Sequence, residues 1–389
     1  MNLVRTILVM SILALCLAPV AGAYDVDKVK VGDVRSFSAE SKHPYDRGDV
    51  DRPMVHTDYV SSPGAKFIRV HFSAFDLAEG DFVSVAGVDG AQYWTYTLKG
   101  LHGNGKFWSF AVDGDTAVVR LHAGLKPGYG YRVDKVGHGS KSISPTPEVV
   151  CGTDGREDIA CHNEANTPQK AVARLLFTVG GSQYVCTGWL VAGSNSSTML
   201  TNNHCFSTQT ATNTVQAMFN YQKTTCGGST NATTTVYAGG TFLKTNSERK
   251  KGSKGGLDYT IFTLQGNPES TWGELTATSK APAVNETIWF IQHPGGNQKR
   301  IGFWEDAAHT TRCKVNTINA TYGSAATGSQ MGYGCDSEGG SSGSPIINEA
   351  TGRAFGLHHY GGVASCLNSA TMMSKVCADA GSLLSCAGN

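Results

Sequence analysis

The cysteines of this 389-residue chain are confined to its second part. Ten of the eleven lie between Cys151 and Cys386, and none lies between residues 24 and 150. An even number of cysteines in an exported chain is typical of a disulfide framework. The stretch between the two parts, "GSKSISPTPEVV", is rich in Ser and Pro and is typical of a linker. We therefore predict a cysteine-free domain over residues 24–139, a linker over 140–150 and a cysteine-rich domain over 151–389.

The first 23 residues have the composition of a secretory signal peptide. Arg5 supplies a positive charge, residues 7–17 are apolar, and Ala21-Gly22-Ala23 is a cleavage site of small residues. The apolar run is shorter than the ~20 residues that a membrane-spanning helix needs. We expect cleavage after Ala23 and a secreted, extracellular protein.

The charge balance limits the classes of partner. The chain has 32 Lys+Arg against 31 Asp+Glu, and only 16% of its residues are charged. Such a balance gives no overall field that would attract nucleic acid or an anionic membrane, so we expect neither as a partner. The 47 glycines, together with frequent Ser and Thr, favour short strands joined by many turns. We predict an all-β protein and expect it to be a monomer.

Short strands with Gly or Asp at their ends recur through residues 24–139. In "KFIRVHFSAF", Ile68, Val70 and Phe72 alternate with polar residues, which is the period of a half-buried strand. Together with "DFVSVAGVDG", "QYWTYTL", "TAVVRLHAG" and "YGYRVDKVG", this run predicts a small β-sandwich. The order of the runs resembles CUB-type and related pre-peptidase domains, which implies an accessory or propeptide domain. Calcium binding does not carry over, because the cysteines usual in CUB domains are absent here.

Residues 151–389 also consist of short β-like runs, without a long amphipathic helix or an internal repeat. Three segments of this part carry side chains that suit one chemistry. "TNNHC" ends in His204 and Cys205, "GGLDYTIFTL" places Asp258 before a buried-strand pattern, and "GGSSGSPI" contains Ser342 among small residues.

Acyl transfer explains why these three residue types belong together. A serine hydroxyl is a weak nucleophile and needs a base to take its proton. Histidine can do so near neutral pH, and a buried carboxylate fixes its tautomer and stabilises the imidazolium. Glycines beside the serine let backbone N–H groups approach a developing oxyanion. The chain order His204, Asp258, Ser342 is the chymotrypsin-like one, unlike the orders of subtilisins and α/β-hydrolases.

At these residues the chain resembles the chymotrypsin-fold serine peptidases, because "TNNHC" is similar to TAAHC and "GSSGSP" to GDSGGP. The resemblance implies that Ser342 is the nucleophile, His204 the base and Asp258 its carboxylate partner. It also implies an oxyanion hole formed by the N–H groups of Gly340 and Ser342. "VVCGTDGREDI", "CTGWLV", "FNYQKTTC" and "IQHPGGNQKRI" resemble segments of the lysyl-endopeptidase-like branch, in the same order.

The resemblance to that branch implies a fold and a set of disulfides. Two six-stranded β-barrels are expected, with the active site between them. The implied bridges are Cys186–Cys205, which would hold the turn that carries His204, and Cys151–Cys226. Cys377–Cys386 is a further candidate pair, and the remaining connectivity stays open.

Two departures from the family pattern concern activation and specificity. Ser341 replaces the aspartate before the nucleophile, so the ion pair between that aspartate and a new N-terminus is not available here. Lysine-specific members have a pocket aspartate shortly after the cysteine that matches Cys366. "SCLNSATMMSKV" has no acid, and Thr371 falls near that position. A buried lysine ammonium would then lack its counter-charge.

The predicted specificity pocket consists of His358, His359, Gly361 and Thr371. "GLHHYGG" resembles the pocket wall of glutamyl endopeptidases, where a histidine helps to bind an acidic side chain, although the lysyl branch has a histidine here too. Histidine and the Thr371 hydroxyl would supply a charge and a hydrogen bond to a buried carboxylate. These residues favour an acidic or small residue over lysine at the cleaved bond. Because the lysyl branch also has a histidine here, the sequence leaves the choice between the two specificities open.

Two functions from different classes fit these observations. The first is a secreted serine endopeptidase that acts on proteins or peptides, and the alternative is a secreted binding protein with a catalytically inactive peptidase-like domain. We expect no cofactor and no metal, because a zinc site of His204, His358 and His359 would lack both HExxH and paired CxxC motifs. His293, in "IQHPGG", is expected to be structural or to line the cleft.

Overall fold

The structure is a computed structural model that describes residues 28–49, 53–140, 150, 152–247, 249–250, 253–363 and 366–388. The predicted signal peptide, Cys151 and all but the two ends of the predicted linker lie outside these residues. Residues 28–140 are called the N-terminal module below.

The N-terminal module consists of strands. Those described are β1 (Val29–Glu40), β2 (Met54–Ser61), β3 (Phe67–Asp76), β4 (Phe82–Gly87), β5 (Tyr93–Thr97), β6 (Phe107–Trp108), β7 (Val112–Asp113), β8 (Thr116–His122) and β9 (Gly130–Gly139). One sheet has the order β2-β8-β4-β5, and a second contains β1-β9-β3-β6, with β7 paired to β3. Both sheets contribute to one core, which includes Val60, Ile68, Val70, Phe72, Val83, Val85, Val119, Leu121 and Val133. The likeness to CUB-type domains stays a prediction.

The predicted alternation along β3 has one instructive exception. Ile68, Val70 and Phe72 are fully buried as expected, but Arg69 is also buried, with 1% of its surface exposed. Its guanidinium donates to the carbonyl of Ser109 at 3.0 Å and to that of Thr214 at 2.9 Å. Thr214 lies outside the module, so the outward face of this strand is covered by the rest of the chain at Arg69.

The C-terminal region contains two further groups of strands. They are β10 (Arg156–Asp158), β11 (Val172–Val179), β12 (Ser182–Leu190), β13 (Thr198–Thr201), β14 (Gln216–Phe219), β15 (Thr235–Asn246), β16 (Arg249–Lys250), β17 (Ser253–Lys254), β18 (Tyr259–Leu264), β19 (Ile288–Gln292), β20 (Arg300–Gly302), β21 (Val315–Ala320), β22 (Gln330–Tyr333), β23 (Pro345–Asn348), β24 (Ala354–Val363) and β25 (Leu367–Met372). Strands β16 and β17 form a separate hairpin.

The helices are short. They are α1 (Gln209–Thr212), α2 (Glu269–Trp272) and α3 (Met373–Ala380), with 3₁₀ turns at Ile159–Cys161, Asn163–Ala165, Pro168–Ala171, Pro294–Gly296 and Gly381–Leu383. Over the described part of the chain, none has the length and apolarity that crossing a membrane would require.

The first group of strands closes on itself. Strands β11, β14, β15, β18, β13 and β12 pair in this order, and β12 pairs again with β11, which gives a six-stranded antiparallel barrel. Its core includes Leu175, Phe177, Trp189, Leu200, Phe219, Ile261 and Phe262. This barrel agrees with the first of the two barrels that the resemblance implies.

The second group is an antiparallel sheet of eight strands in the order β10-β20-β19-β23-β24-β25-β22-β21. Six of these strands contribute to one core, which includes Ile288, Phe290, Val315, Met331, Tyr333, Ile346, Phe355 and Met372. The other two, β10 and β20, are only three residues long. In place of the expected second barrel of six strands, the described residues thus form a sheet that ends in a short two-stranded edge.

One strand joins the N-terminal module to the first barrel. Strand β1 pairs with β9 inside the module and, on its other edge, with β12 of the barrel, where Val29 lies opposite Val185. The sequence pattern did not predict this pairing, which makes one continuous sheet of the two parts. The module is thus attached through backbone hydrogen bonds as well as through the linker.

The described disulfides are Cys161–Cys226, Cys186–Cys205, Cys313–Cys335 and Cys377–Cys386. The second and fourth agree with the sequence predictions. The predicted Cys151–Cys226 bridge is wrong, because Cys226 is bonded to Cys161. The reason is local. Asp158 lies shortly before Cys161, and it accepts hydrogen bonds from Lys223 and from the N–H of Gly227, which fixes the loop that contains Cys226.

Candidate active site

His204 and Asp258 meet at the edge of the first barrel. His204 follows β13 and is held by the Cys186–Cys205 disulfide, whereas Asp258 immediately precedes β18. Nδ1 of His204 lies 2.6 Å from Oδ2 of Asp258, and the backbone N–H of His204 donates to Oδ1 at 2.8 Å. Asp258 adopts a φ of 47°, in the left-handed region that side chains rarely occupy, and these two contacts hold it there.

The Asp258 carboxylate is a buried anion. None of its surface is exposed. Burial alone would raise its pKa, but the charges of His204 and His359 outweigh that effect, so the pKa lies well below its ordinary value. A carboxylate that stays ionised beside Nδ1 fixes the tautomer in which Nε2 of the imidazole accepts a proton.

His359 is the residue whose place differs most from the sequence prediction. It was assigned to the specificity pocket, but its Nε2 lies 3.1 Å from Oδ2 of Asp258, the oxygen that His204 also contacts. The side chain is fully buried. The imidazole therefore contacts the carboxylate of Asp258. The neighbouring histidines of "GLHHYGG" were the only sequence signal for such a role.

Ser342 lies in a tight turn before β23 that is bonded to β12. The N–H of Thr187 donates to the carbonyl of Ser342 at 2.9 Å, and the Thr187 hydroxyl donates to the carbonyl of Gly340 at 2.8 Å. Gly343 has a φ of 86°, and a Cβ there would come within 2.3 Å of the Thr187 carbonyl oxygen. Glycine after Ser342 is therefore required by both backbone conformation and space.

Gly340 occupies a position that requires glycine. Its φ is 95°, and a Cβ there would lie 2.8 Å from the backbone nitrogen of Gly296. Within the described residues its N–H donates to no protein acceptor. The loop is tied down beside it, because the N–H of Gly295 donates to the carbonyl of Gly339 at 2.7 Å. The assignment of Gly340 and Ser342 as oxyanion donors stays a prediction.

The loop before the nucleophile is anchored without the aspartate that Ser341 replaces. The Ser341 hydroxyl donates to Oε1 of Gln292 at 2.6 Å. Arg156, with 1% of its side chain exposed, pairs with Asp154 at 2.8 Å and with Glu338 at 2.7 Å. Sequence analysis missed this ion-pair cluster around a buried arginine, which joins β10 to the nucleophile loop.

The other members of the predicted pocket are engaged in internal contacts. Nδ1 of His358 is 2.6 Å from the hydroxyl of Tyr333, inside the second core. The hydroxyl of Thr371 accepts a hydrogen bond from Gln330 at 3.0 Å and has no exposed surface. Thr371 and His359 are both fully buried and so present no exposed group to a substrate carboxylate, which disagrees with the predicted pocket. Gly361 is partly exposed, in the part of β24 where the register with β25 slips.

His293 is a structural residue in this fold. Its Nδ1 lies 2.9 Å from the carbonyl oxygen of Asn297, and its backbone N–H donates to the hydroxyl of Thr187 at 3.1 Å. Burial is the main reason why its pKa lies well below the ordinary value.

Three potential metal-binding side chains lie close together at the site: Cys186, His204 and Cys205. The two sulfurs are bonded to each other. Because the thiolate is the metal-binding form of cysteine, this group offers a metal only the imidazole.

Comparisons with known proteins show the family of the chain. Residues 152–376 match the family described as "Lysyl endopeptidase, C-terminal domain". The chain is 30% identical over 349 residues to "Secreted RxLR effector protein 73" of Plasmopara viticola, covering 82% of this chain and 80% of that protein. It is 25% identical over 332 residues to "Lysyl endopeptidase" of Pseudomonas aeruginosa, covering 77% and 66% of the two chains. A solved structure described as "Structure of Glu endopeptidase in complex with MPD" is 20% identical, covers 59% of this chain and 96% of that one, and has a TM-score of 0.42.

Proposed function

Because the chain belongs to the lysyl endopeptidase C-terminal domain family, we propose that it is a secreted serine endopeptidase that hydrolyses protein or peptide substrates through an acyl-enzyme on Ser342. The observation that carries the proposal is the contact between His204 and the fully buried carboxylate of Asp258, at 2.6 Å. A histidine held in this way by a buried carboxylate, next to a loop rich in glycine and serine, is suited to activate a hydroxyl.

The proposed reaction has two steps. Nε2 of His204 is buried and has no hydrogen-bond partner among the described residues, so it is available to take the proton of the Ser342 hydroxyl. The serine oxygen then adds to the substrate carbonyl, and the N–H groups of Gly340 and Ser342 stabilise the oxyanion. His204 returns the proton to the leaving amine, and water hydrolyses the acyl-enzyme by the same sequence in reverse.

A second candidate function is a secreted binding protein with an inactive peptidase-like domain. It is favoured by the name of one relative, a secreted effector protein that aligns with 82% of this chain. The contact between His204 and Asp258 supports the catalytic proposal instead. A buried carboxylate is costly unless it has a partner, and here the partner is the histidine that a catalytic site needs.

A serine-directed fluorophosphonate probe separates the two candidates. We expect labelling of the wild type and none of Ser342→Ala, with hydrolysis reduced by a factor on the order of 10⁴ or more. Ser344→Ala is the matched control, because the Ser344 hydroxyl is buried nearby and makes no hydrogen bond among the described residues. A folded wild-type protein that is neither labelled nor active on any peptide would support the binding protein.

A further inference from the structure

The backbone edge of β12 that supports the nucleophile loop continues toward the N-terminal module. Alternate residues of a strand direct their backbone groups to the same edge. On β12, Trp189 pairs with Leu200 of β13, and the N–H of Thr187 donates to Ser342. Two residues earlier, Val185 pairs with Val29 of β1. The nucleophile loop and β1 are thus neighbours on one edge, ~7 Å apart along the strand.

The leaving side of the cleft lies beside this same edge. The departing amine takes its proton from His204 in the proposed reaction. Cys205, which follows His204, is bonded to Cys186, which lies between Val185 and Thr187 on β12. In addition, Nζ of Lys28, immediately before β1, lies 3.2 Å from the carbonyl oxygen of His204. The beginning of β1 is therefore next to the group that releases the leaving amine.

An exposed strand edge is a natural binding site for an extended peptide, because it offers unpaired N–H and C=O groups. We propose that β1 occupies the edge on which substrate residues C-terminal to the cleaved bond would lie. The attached module then restricts the enzyme to bonds followed by a short leaving segment, and a long polypeptide is cleaved only when it displaces β1. This inference rests on the proposed function of Ser342.

Apolar contacts hold β1 in this position. Val29 and Val31 of β1 form a buried cluster with Leu176 and Val185 of the barrel, and each valine of β1 has only 4% of its surface exposed. The contact combines backbone pairing with apolar burial, and a substrate strand would have to replace both.

Polar contacts elsewhere join the rest of the module to the same barrel. Arg69 donates to the carbonyl of Thr214, and Nε2 of His102 lies 2.8 Å from the carbonyl oxygen of Asn213. The N–H of Ala111 donates to Oε1 of Gln216 at 2.8 Å. These contacts would keep the module attached while the first residues of β1 separate from β12.

The test compares two substrates with the same acyl sequence in the full-length protein. One is a peptidyl thioester with a small leaving group, and the other continues for about eight residues beyond the cleaved bond. Val29→Asp places a carboxylate in the buried cluster and should raise kcat/KM for the long peptide, relative to the thioester, by about tenfold or more. Val88→Asp is the matched control, because Val88 also lies in the module but is 71% exposed, and the ratio should stay unchanged.

A second variant tests the opposite direction. Lys30 and Tyr184 face each other across β1 and β12, so Lys30→Cys with Tyr184→Cys should form a disulfide that fixes the strand. The oxidised variant should hydrolyse the thioester normally and lose most of its activity on the long peptide. If Val29→Asp loses both activities through misfolding, the ratio of the two activities in the locked variant decides whether β1 restricts the long peptide.

The outcomes separate the inference from the proposed function. A wild type that neither reacts with the fluorophosphonate nor hydrolyses the thioester would contradict the proposed function. A wild type active on the thioester, whose ratio between the two substrates is unchanged in the locked variant, would overturn the role of β1 and leave Ser342 in place.

Discussion

Two histidines contact one oxygen of Asp258: Nδ1 of His204 at 2.6 Å and Nε2 of His359 at 3.1 Å. The rings of the two histidines are nearly parallel, with centroids 6.3 Å apart. The ring of Tyr360 also contacts His359, with ring centroids 3.7 Å apart. The carboxylate is therefore fixed between a residue proposed to be catalytic and one that only positions it.

Replacing His359 should slow catalysis without changing substrate binding. His359→Phe keeps the ring but removes the nitrogen that faces Asp258, so we expect kcat to fall by about 10–100-fold, as for other supporting groups of an active site, with little change in KM. His359→Asn should recover part of the loss, because its amide can donate to the carboxylate. A large rise in KM with kcat unchanged would instead return His359 to the substrate pocket.

The misplacement of His359 shows where sequence reasoning about this site ends. Neighbouring residues of a strand point to opposite faces. His358 therefore enters the second core beside Tyr333, whereas His359 faces the first barrel and Asp258. The motif "GLHHYGG" contains both histidines, but it does not state which face of β24 each one takes. That depends on how the two halves of the region pack.

The sequence patterns predicted local structure better than contacts between residues that are far apart in the chain. The alternation in "KFIRVHFSAF" predicted β3, which spans Phe67–Asp76. The pairing of Val29 with Val185 was missed, because residues so far apart in sequence leave no local signal of contact. Cys161 and Cys151 are only ten residues apart, so spacing did not distinguish them as partners of Cys226.

Removing the Cys186–Cys205 disulfide should affect stability and activity together. The bridge closes a segment of 19 residues, and replacing both cysteines by alanine should lower the free energy of unfolding by about 2–5 kcal/mol. Activity should fall further than the folded fraction does, because Cys205 follows His204. Denaturant unfolding and fluorophosphonate labelling measure the two effects.

The Cys377–Cys386 bridge provides the control for that experiment. It closes only nine residues at the C-terminal end, so its removal should cost less stability and leave the labelling rate of the folded protein unchanged. Equal losses of labelling in both variants would show that neither bridge has a specific role in holding His204.

The buried Lys299 should make stability depend on pH. Only 1% of its surface is exposed, Nζ donates to the carbonyl of Gln169 at 2.6 Å, and burial lowers the pKa of the ammonium from 10.5 to about 7. Between these two values the unfolded chain binds a proton that the folded protein does not. The free energy of unfolding should therefore rise with pH from about 7 to about 10.5, by up to ~1.4 kcal/mol per pH unit.

Lys299→Met should remove this rise, and the exposed Lys170→Met is the control that should keep it. Denaturant unfolding at pH 7, 8 and 9 gives the slope for each variant. If the slope persists in Lys299→Met, another group causes the pH dependence.

Thr371→Val tests whether the residue at the family's expected pocket position determines specificity. The Thr371 hydroxyl is buried and accepts its hydrogen bond from Gln330, so the substitution removes an internal contact and leaves the cleft surface unchanged. We expect the cleavage preference in a peptide library to be the same as that of the wild type, while the free energy of unfolding falls by about 1–3 kcal/mol because Gln330 loses an acceptor.

Profiling at pH 6 and pH 8 extends the test, since a substrate carboxylate bound by a protonated imidazole would be disfavoured at the higher pH. A preference that changes in Thr371→Val would mean that substrate binding opens this part of the second sheet and brings the hydroxyl into the cleft.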